Sequence, residues 1–249
     1  PSPTRIAASN VPVSSSRVEW APVLAFALWL WMTNLLANLF DVIDRWMVLH
    51  LHPDGAEAAL RELGQYHSAR IFPLLLISLA AAVGSILTAH LSRDWEAGRR
   101  DLVARRINLA LKLVGCALIA IGTALLVLTP TLFRTLYPGK FGEGMQLLPL
   151  TLLAGAWFAL SNIAVAYLWC VERAHRATLA FGVAILVNLA LNAWWLPLWG
   201  LWGAVAATSV AQGTALACLL RAGHRHGLRL STPTLVVAVI PLALYGGAV

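Results

Sequence analysis

Six stretches of the chain contain no Asp, Glu, Lys or Arg, and together they cover 156 of its 249 residues. They are residues 20–40, 71–92, 113–133, 144–171, 177–220 and 230–249. Each is at least 20 residues long, and about 20 apolar residues in a helix cross the ~30 Å hydrocarbon layer of a bilayer. Inside lipid every backbone N–H and C=O must be satisfied within its own segment, so such spans are helices. The chain reads as an all-α membrane protein, a polytopic helical bundle.

The longest stretch has 44 residues, roughly 66 Å of helix at 1.5 Å per residue. That length suits two crossings. Pro197 and Gly200, in LPLWGLWG, supply the break. The count becomes about seven transmembrane helices, near 20–48, 70–92, 108–133, 145–170, 177–196, 199–220 and 232–249. A hydrophobic share of 59% and a mean hydropathy of +0.75 lie outside the soluble range. The apolar residues form unbroken runs and not one-sided stripes, which makes a large soluble core the weaker reading.

The net charge of +7 would suggest nucleic acid in a soluble protein. Here the bases sit in short connections, where they set topology. Twelve arginines fall on one set of flanks: Arg5, Arg17, Arg93, Arg99, Arg100, Arg105, Arg106, Arg173, Arg176, Arg221, Arg225 and Arg229. Five bases fall on the other: Arg45, Arg61, Arg70, Arg134 and Lys140. Basic loops stay cytoplasmic, so the N-terminus is expected inside and the C-terminus outside. Trp20, Trp95 and Trp169 mark one interface, and Trp46, Trp194, Trp195, Trp199 and Trp202 the other. A seven-helix receptor would have the opposite orientation, and the last span has no lysine to hold a retinal.

Residues 1–19 are rich in Ser and Pro and read as a flexible cytoplasmic linker. They lack the apolar core of a signal peptide. The far end, LVVAVIPLALYGGAV, reads as a helix still leaving the membrane, so the chain is expected to be a piece of a longer protein.

Polar residues inside the spans are the candidate site. Asn34, Asn38, Asp41 and Arg45 are spaced by 4, 3 and 4 residues and share one helix face. Asp44 flanks them. Ionisable groups at this depth usually face a bundle interior or a wet cavity. The stripe is therefore either a wall of a substrate cavity or a helix end surfacing at the outer interface, with Arg45 snorkelling. Asp41 and Arg45, at i,i+4, have the spacing of an ion pair. Asn188 and Asn192 repeat the i,i+4 pattern, as do Thr208 and Gln212, which interhelical hydrogen bonding also explains. Gly203, Ala207, Ala211 and Ala215 form a small-residue ridge for close packing.

Other features read as bland. His50, His52 and Asp54 lack further ligands nearby and read as a solvated outer loop. Cys116, Cys170 and Cys218 show no paired or metal spacing. The run RDWEAGRRDLVARR (93–106) reads as a helix lying along the inner surface, arginines near anionic head groups. No nucleophile elbow, phosphate-binding glycine loop or metal-binding helix is present, so neither an enzyme nor a cofactor is expected. The outer connection at 49–65 is too short for a catalytic domain.

Ordered motifs carry a resemblance. FDVIDRWMV ends the first span, and LGQYHSARIFPLLL leads into the next. SRDWEAGRRDLV forms the turn after it. LYPGKFGEGMQLLPLTLLAG and YLWCVERAHRATLAFGVAILVNLALNAWWLPLWGLWGAVAATSVAQ follow. From about residue 20 to 230 this order resembles the polysaccharide and oligosaccharide-lipid flippases of the MOP superfamily, which include O-antigen flippases. The chain departs from their pattern at Pro138, Gly139 and Phe141. The resemblance implies one lobe of a two-lobe transporter: a six-helix lobe over 20–230, with 231–249 an additional, truncated transmembrane helix. It implies flipping of a lipid-linked oligosaccharide, of the undecaprenyl pyrophosphate type, for cell-surface polysaccharide biosynthesis such as lipopolysaccharide. The expected partners are that lipid, membrane lipids and the N-terminal lobe of the same protein, with no nucleic acid. The expected place is a bacterial inner membrane. The alternatives are an ion-coupled multidrug or cation antiporter of the same superfamily, using a carboxylate such as Asp41, and a membrane-embedded glycan polymerase or ligase.

Overall fold

The computed structural model describes residues 20–136 and 142–248. The linker expected over 1–19 and the departures at Pro138, Gly139 and Phe141 lie outside the described residues. Seven helices follow in order: α1 (Trp20–Leu51), α2 (Ala56–Glu96), α3 (Arg100–Leu136), short α4 (Gly142–Gln146), α5 (Leu148–Cys170), α6 (Ala174–Arg225) and α7 (Thr232–Tyr245). Five of them are long and apolar enough to cross a membrane. Among the described residues there is no strand. The protein is a multi-pass membrane protein with an all-helical bundle.

The break in α6 sits at Gly200, whose backbone (φ 55°, ψ −137°) is open only to a residue without Cβ. The chain folds back there, and the two halves of α6 touch backbone to backbone. A Cβ on Gly203 would lie 2.3 Å from the Trp195 carbonyl oxygen. α6 thus supplies two crossings. The 14 residues of α7 make about 21 Å of helix, shorter than the hydrocarbon layer.

α5 is the central post, buried along most of its length and packed by α2, α3, α6 and α7. Lipid is as apolar as leucine, so helices in a bilayer associate through close fit rather than the hydrophobic effect. Small residues supply that fit. Gly84 of α2 meets the Asn162 backbone, and Gly155 of α5 meets Pro73. Ala204, Ala207, Ala211 and Ala215 line the inner face of α6. α1 docks on α6, with Thr33 and Thr178 hydroxyls 2.8 Å apart and Thr178 also donating to the Trp29 carbonyl at 3.0 Å. Large apolar side chains such as Leu24, Leu28, Ile86, Val127 and Leu186 point outward to lipid.

Polar clips fix α7. Asn108 of α3 donates its amide to the Arg229 carbonyl at 2.8 Å. Its carbonyl accepts from Ser231 N–H at 2.9 Å and the Thr234 hydroxyl at 2.8 Å. The Trp157 indole donates to the Ala238 carbonyl at 2.9 Å, and the Tyr245 hydroxyl donates to the Leu118 and Ile119 carbonyls.

Two connections differ from the sequence reading. Residues 93–106 are not a surface helix. α2 runs to Glu96, turns at Gly98 (φ 72°) and re-enters as α3 at Arg100. Asp94, 1% exposed, staples the turn by pairing with Arg99 at 2.7 Å and with Arg106. Four of the run's charges therefore serve the turn itself: Asp94, Arg99 and Arg106 in the staple, and Arg100 over the Trp95 ring at 4.6 Å. The outer connection is also shorter than 49–65, because helix resumes at Ala56.

Candidate functional site

α1 presents two polar faces. The stripe of Asn34, Asn38 and Arg45 is exposed, and Asp41 is partly so. The Asn34 and Asn38 amides donate to carbonyls one turn back on their own helix, at 2.9 and 2.7 Å. The adjacent face carries the buried residues Thr33, Phe40, Asp44, Met47 and Val48, and it packs on α6. Asp44 therefore goes inside, at 3% exposure.

There it meets both halves of the α6 hairpin. The Asn192 amide donates to Asp44 Oδ1 at 2.9 Å and to Asn188 Oδ1 at 3.2 Å. The Thr208 hydroxyl lies 2.6 Å from Asp44 Oδ2 and 3.0 Å from the Ala204 carbonyl, and Asn188 donates to Thr208 Oγ1 at 3.3 Å. One hydroxyl proton serves one acceptor at a time, so Thr208 can turn between the carboxylate and its own helix. Asn192 Oδ1 is buried without a partner among the described residues. The cluster thus gathers a carboxylate, two amide oxygens and a hydroxyl, with an acceptor to spare. An all-oxygen set with one formal charge matches a small hard monovalent cation such as sodium.

Beside this cluster lies a cleft of about 200 Å³ between α1, α2, α5 and α6, lined in part by Asn38, Asp41, Tyr66, Arg70, Thr208 and Gln212. Asp41 pairs across it with Arg70 at 2.5 Å, not with Arg45. Arg45 makes no ion pair among the described residues. Arg70 is held over the Tyr66 ring, 5.1 Å from its centre. The Asp41 side chain is 42% exposed and that of Arg70 14%, so the pair faces the cleft. Gln212 Oε1, one helical turn beyond Thr208, is buried and has no partner among the described residues. Thr208 belongs to both the cleft wall and the Asp44 cluster, joining the two.

The structure thus brings Asn188, Asn192, Thr208 and Asp44 together, and sets Asn38, Asp41 and Gln212 around the cleft. Asn34 and Arg45 lie outside both groups. Arg70 and Tyr66 went unnoticed in the sequence as site residues. Their i,i+4 spacing before Pro73 was the available signal. His52 is not solvated: it is buried, and its Nε2 lies 3.0 Å from Glu62 Oε2 beneath Gly200.

Among solved structures, the chain is similar to the lipid II flippase MurJ in an inward closed conformation. The TM-score is 0.68 at 19% identity, over 87% of this chain and 45% of that one. It is also similar to a multidrug resistance MATE family transporter of the MOP superfamily in an outward-facing conformation, at TM-score 0.67 and 18% identity. That match covers 91% of this chain and 52% of the other. Over the matched length the chain shares the helical fold of both structures. It spans about half the length of each of these transporters. No protein-family model matches the sequence, and no curated protein matches it.

Proposed function

We propose that this chain is one lobe of a cation-coupled transporter that flips a lipid-linked oligosaccharide across a bacterial inner membrane, N-terminus inside. The observation that carries the reading is the cleft wall shared by Arg70, Asp41 and Thr208 on a transporter fold. Arg70 offers a guanidinium, which binds phosphate oxygens in a bidentate way. Asp41 holds it in place and competes for it. A pyrophosphate reaching Arg70 would displace Asp41, while Asn38 and Gln212 offer amides to sugar hydroxyls. The lipid tail would stay in the bilayer, alongside the exposed apolar faces of α1 and α2.

Coupling would run through Asp44. A cation held by Asp44, Asn188, Asn192 and Thr208 would tie α1 to both halves of α6. Its loss would return the Thr208 proton to Asp44 and leave α1 held to both halves of α6 by hydrogen bonds alone. Alternating access rocks one lobe against another around a shared site, so a second lobe is the expected partner. The ordered sequence motifs, and the half-length match to transporters, support this.

The second reading is an ion-coupled antiporter of organic cations. The partly exposed Asp41 favours it, as does a fold likeness to a multidrug transporter as close as that to a flippase. Ligand binding to the purified chain separates the two. The flippase reading expects stabilisation by an undecaprenyl pyrophosphate-linked oligosaccharide, lost in Arg70→Gln. Stabilisation by organic cations alone, lost in Asp41→Asn, would overturn it in favour of the antiporter.

A further inference from the structure

At the Arg-rich end of the bundle, a second cavity of about 620 Å³ lies between the start of α1, the end of α2 and the turn joining α5 to α6. It shares no residue with the cleft described above, and its reading does not depend on the transport reading. Its lining is both charged and aromatic. Glu96 and Glu172 supply two carboxylates, neither of which is ion-paired among the described residues. Arg173 and His175 stand at the start of α6. Trp169, on the wall, has an indole N–H that is shut away from solvent without a partner among the described residues. Pro22, Val23 and Phe26 of α1 form an apolar lip toward lipid.

The backbone adds a further sign. Glu172 has φ 57°, the left-handed region that glycine or asparagine would occupy after a helix. Strain of this kind tends to gather at sites that use it. Here it holds a carboxylate at the cavity rim.

From this we infer that the cavity binds the head group of a zwitterionic phospholipid with a primary amine, a phosphoethanolamine. The ammonium would sit between Glu96 and Glu172, the phosphate against Arg173, and the acyl chains along the α1 lip. A trimethylated amine fits less well. It has no N–H to donate to the two carboxylates. A purely anionic head group would meet two carboxylates and one arginine.

Native mass spectrometry of the purified chain tests this, with phosphatidylethanolamine, phosphatidylcholine and phosphatidylglycerol offered at equal amounts. The expected result is preferential retention of phosphatidylethanolamine. In the double variant Glu96→Gln, Glu172→Gln that retention falls about tenfold, to the level of phosphatidylcholine, because charge-assisted hydrogen bonds to the ammonium are lost. Glu172→Asp keeps the charge and keeps the preference. Arg173→Gln weakens the two zwitterionic lipids together. Both glutamates are exposed, and unchanged circular dichroism confirms folding. Equal retention of the three lipids, a preference for phosphatidylglycerol, or a phosphatidylethanolamine preference that survives the double variant would each overturn the assignment.

Discussion

Replacing Asp44 by asparagine separates a coupling site from a merely structural cluster. The carboxylate is 3% exposed and takes hydrogen bonds from Asn192 and Thr208. Without a bound cation, its buried charge is offset by hydrogen-bond dipoles and the more distant charge of Arg70, and removing such a charge while keeping its shape is often neutral or stabilising. In sodium-free detergent Asp44→Asn is therefore expected to melt at or above the wild-type temperature. Sodium reverses the order. At a concentration a hundred times the dissociation constant, binding stabilises the folded state by about 2.7 kcal/mol. For a chain of this size that raises Tm by about 5–10 °C. The charge contributes about 4 kcal/mol at 4 Å and an effective dielectric of 20, so the variant loses about a thousandfold in affinity. Its melting temperature should not respond to sodium. Thermal melting in sodium against N-methylglucamine chloride at equal ionic strength reads this directly. An equal sodium shift in wild type and Asp44→Asn, or none in wild type, would refute the reasoning.

Three further outcomes follow from the contacts. Asp41→Asn should insert and fold normally but lower transport at least about tenfold, since Arg70 loses the charge that positions it; complementation of a transporter-null strain measures it. Asn108→Ala should cost about 1–3 kcal/mol by leaving the Ser231 N–H without its acceptor, while the Thr234 hydroxyl keeps Ser231 Oγ at 2.8 Å; lower Tm and faster proteolysis between α6 and α7 are the readouts. Gly203→Ala places a Cβ against the Trp195 carbonyl, 2.3 Å away in the unrelaxed structure, so the α6 hairpin should lose about 1–3 kcal/mol, seen in the melting temperature.

Much of the fold was legible because charge-free length alone marks a span. The α6 hairpin was legible from Pro197 and Gly200. The interior face of each helix was not. In water an apolar stripe marks the core, but here apolar residues surround the polar ones on both faces of α1, and lipid and protein interior read alike. The polar stripe of Asn34, Asn38, Asp41 and Arg45 drew attention to the exposed face. Asp44, three residues on from Asp41, turns about 60° away and enters the core with Thr33 and Phe40. Its partners were visible as an i,i+4 pair, Asn188 with Asn192, yet which helix they met depended on packing. Arg70 was hidden for another reason. It stood in a supposed loop flank, whereas α2 begins at Ala56 and places it about 21 Å along the helix.

In the proposed function this lobe flips a lipid-linked oligosaccharide only against a second lobe, and with a cation at Asp44. Leaflet exchange of an undecaprenyl-linked oligosaccharide in liposomes under a sodium gradient tests it most directly. The comparison is between residues 1–249 alone, the same chain with a complementary lobe, and that pair carrying Asp44→Asn. Exchange is expected only for the unaltered pair. Robust exchange by the monomeric chain alone, or by the Asp44→Asn pair, would contradict it.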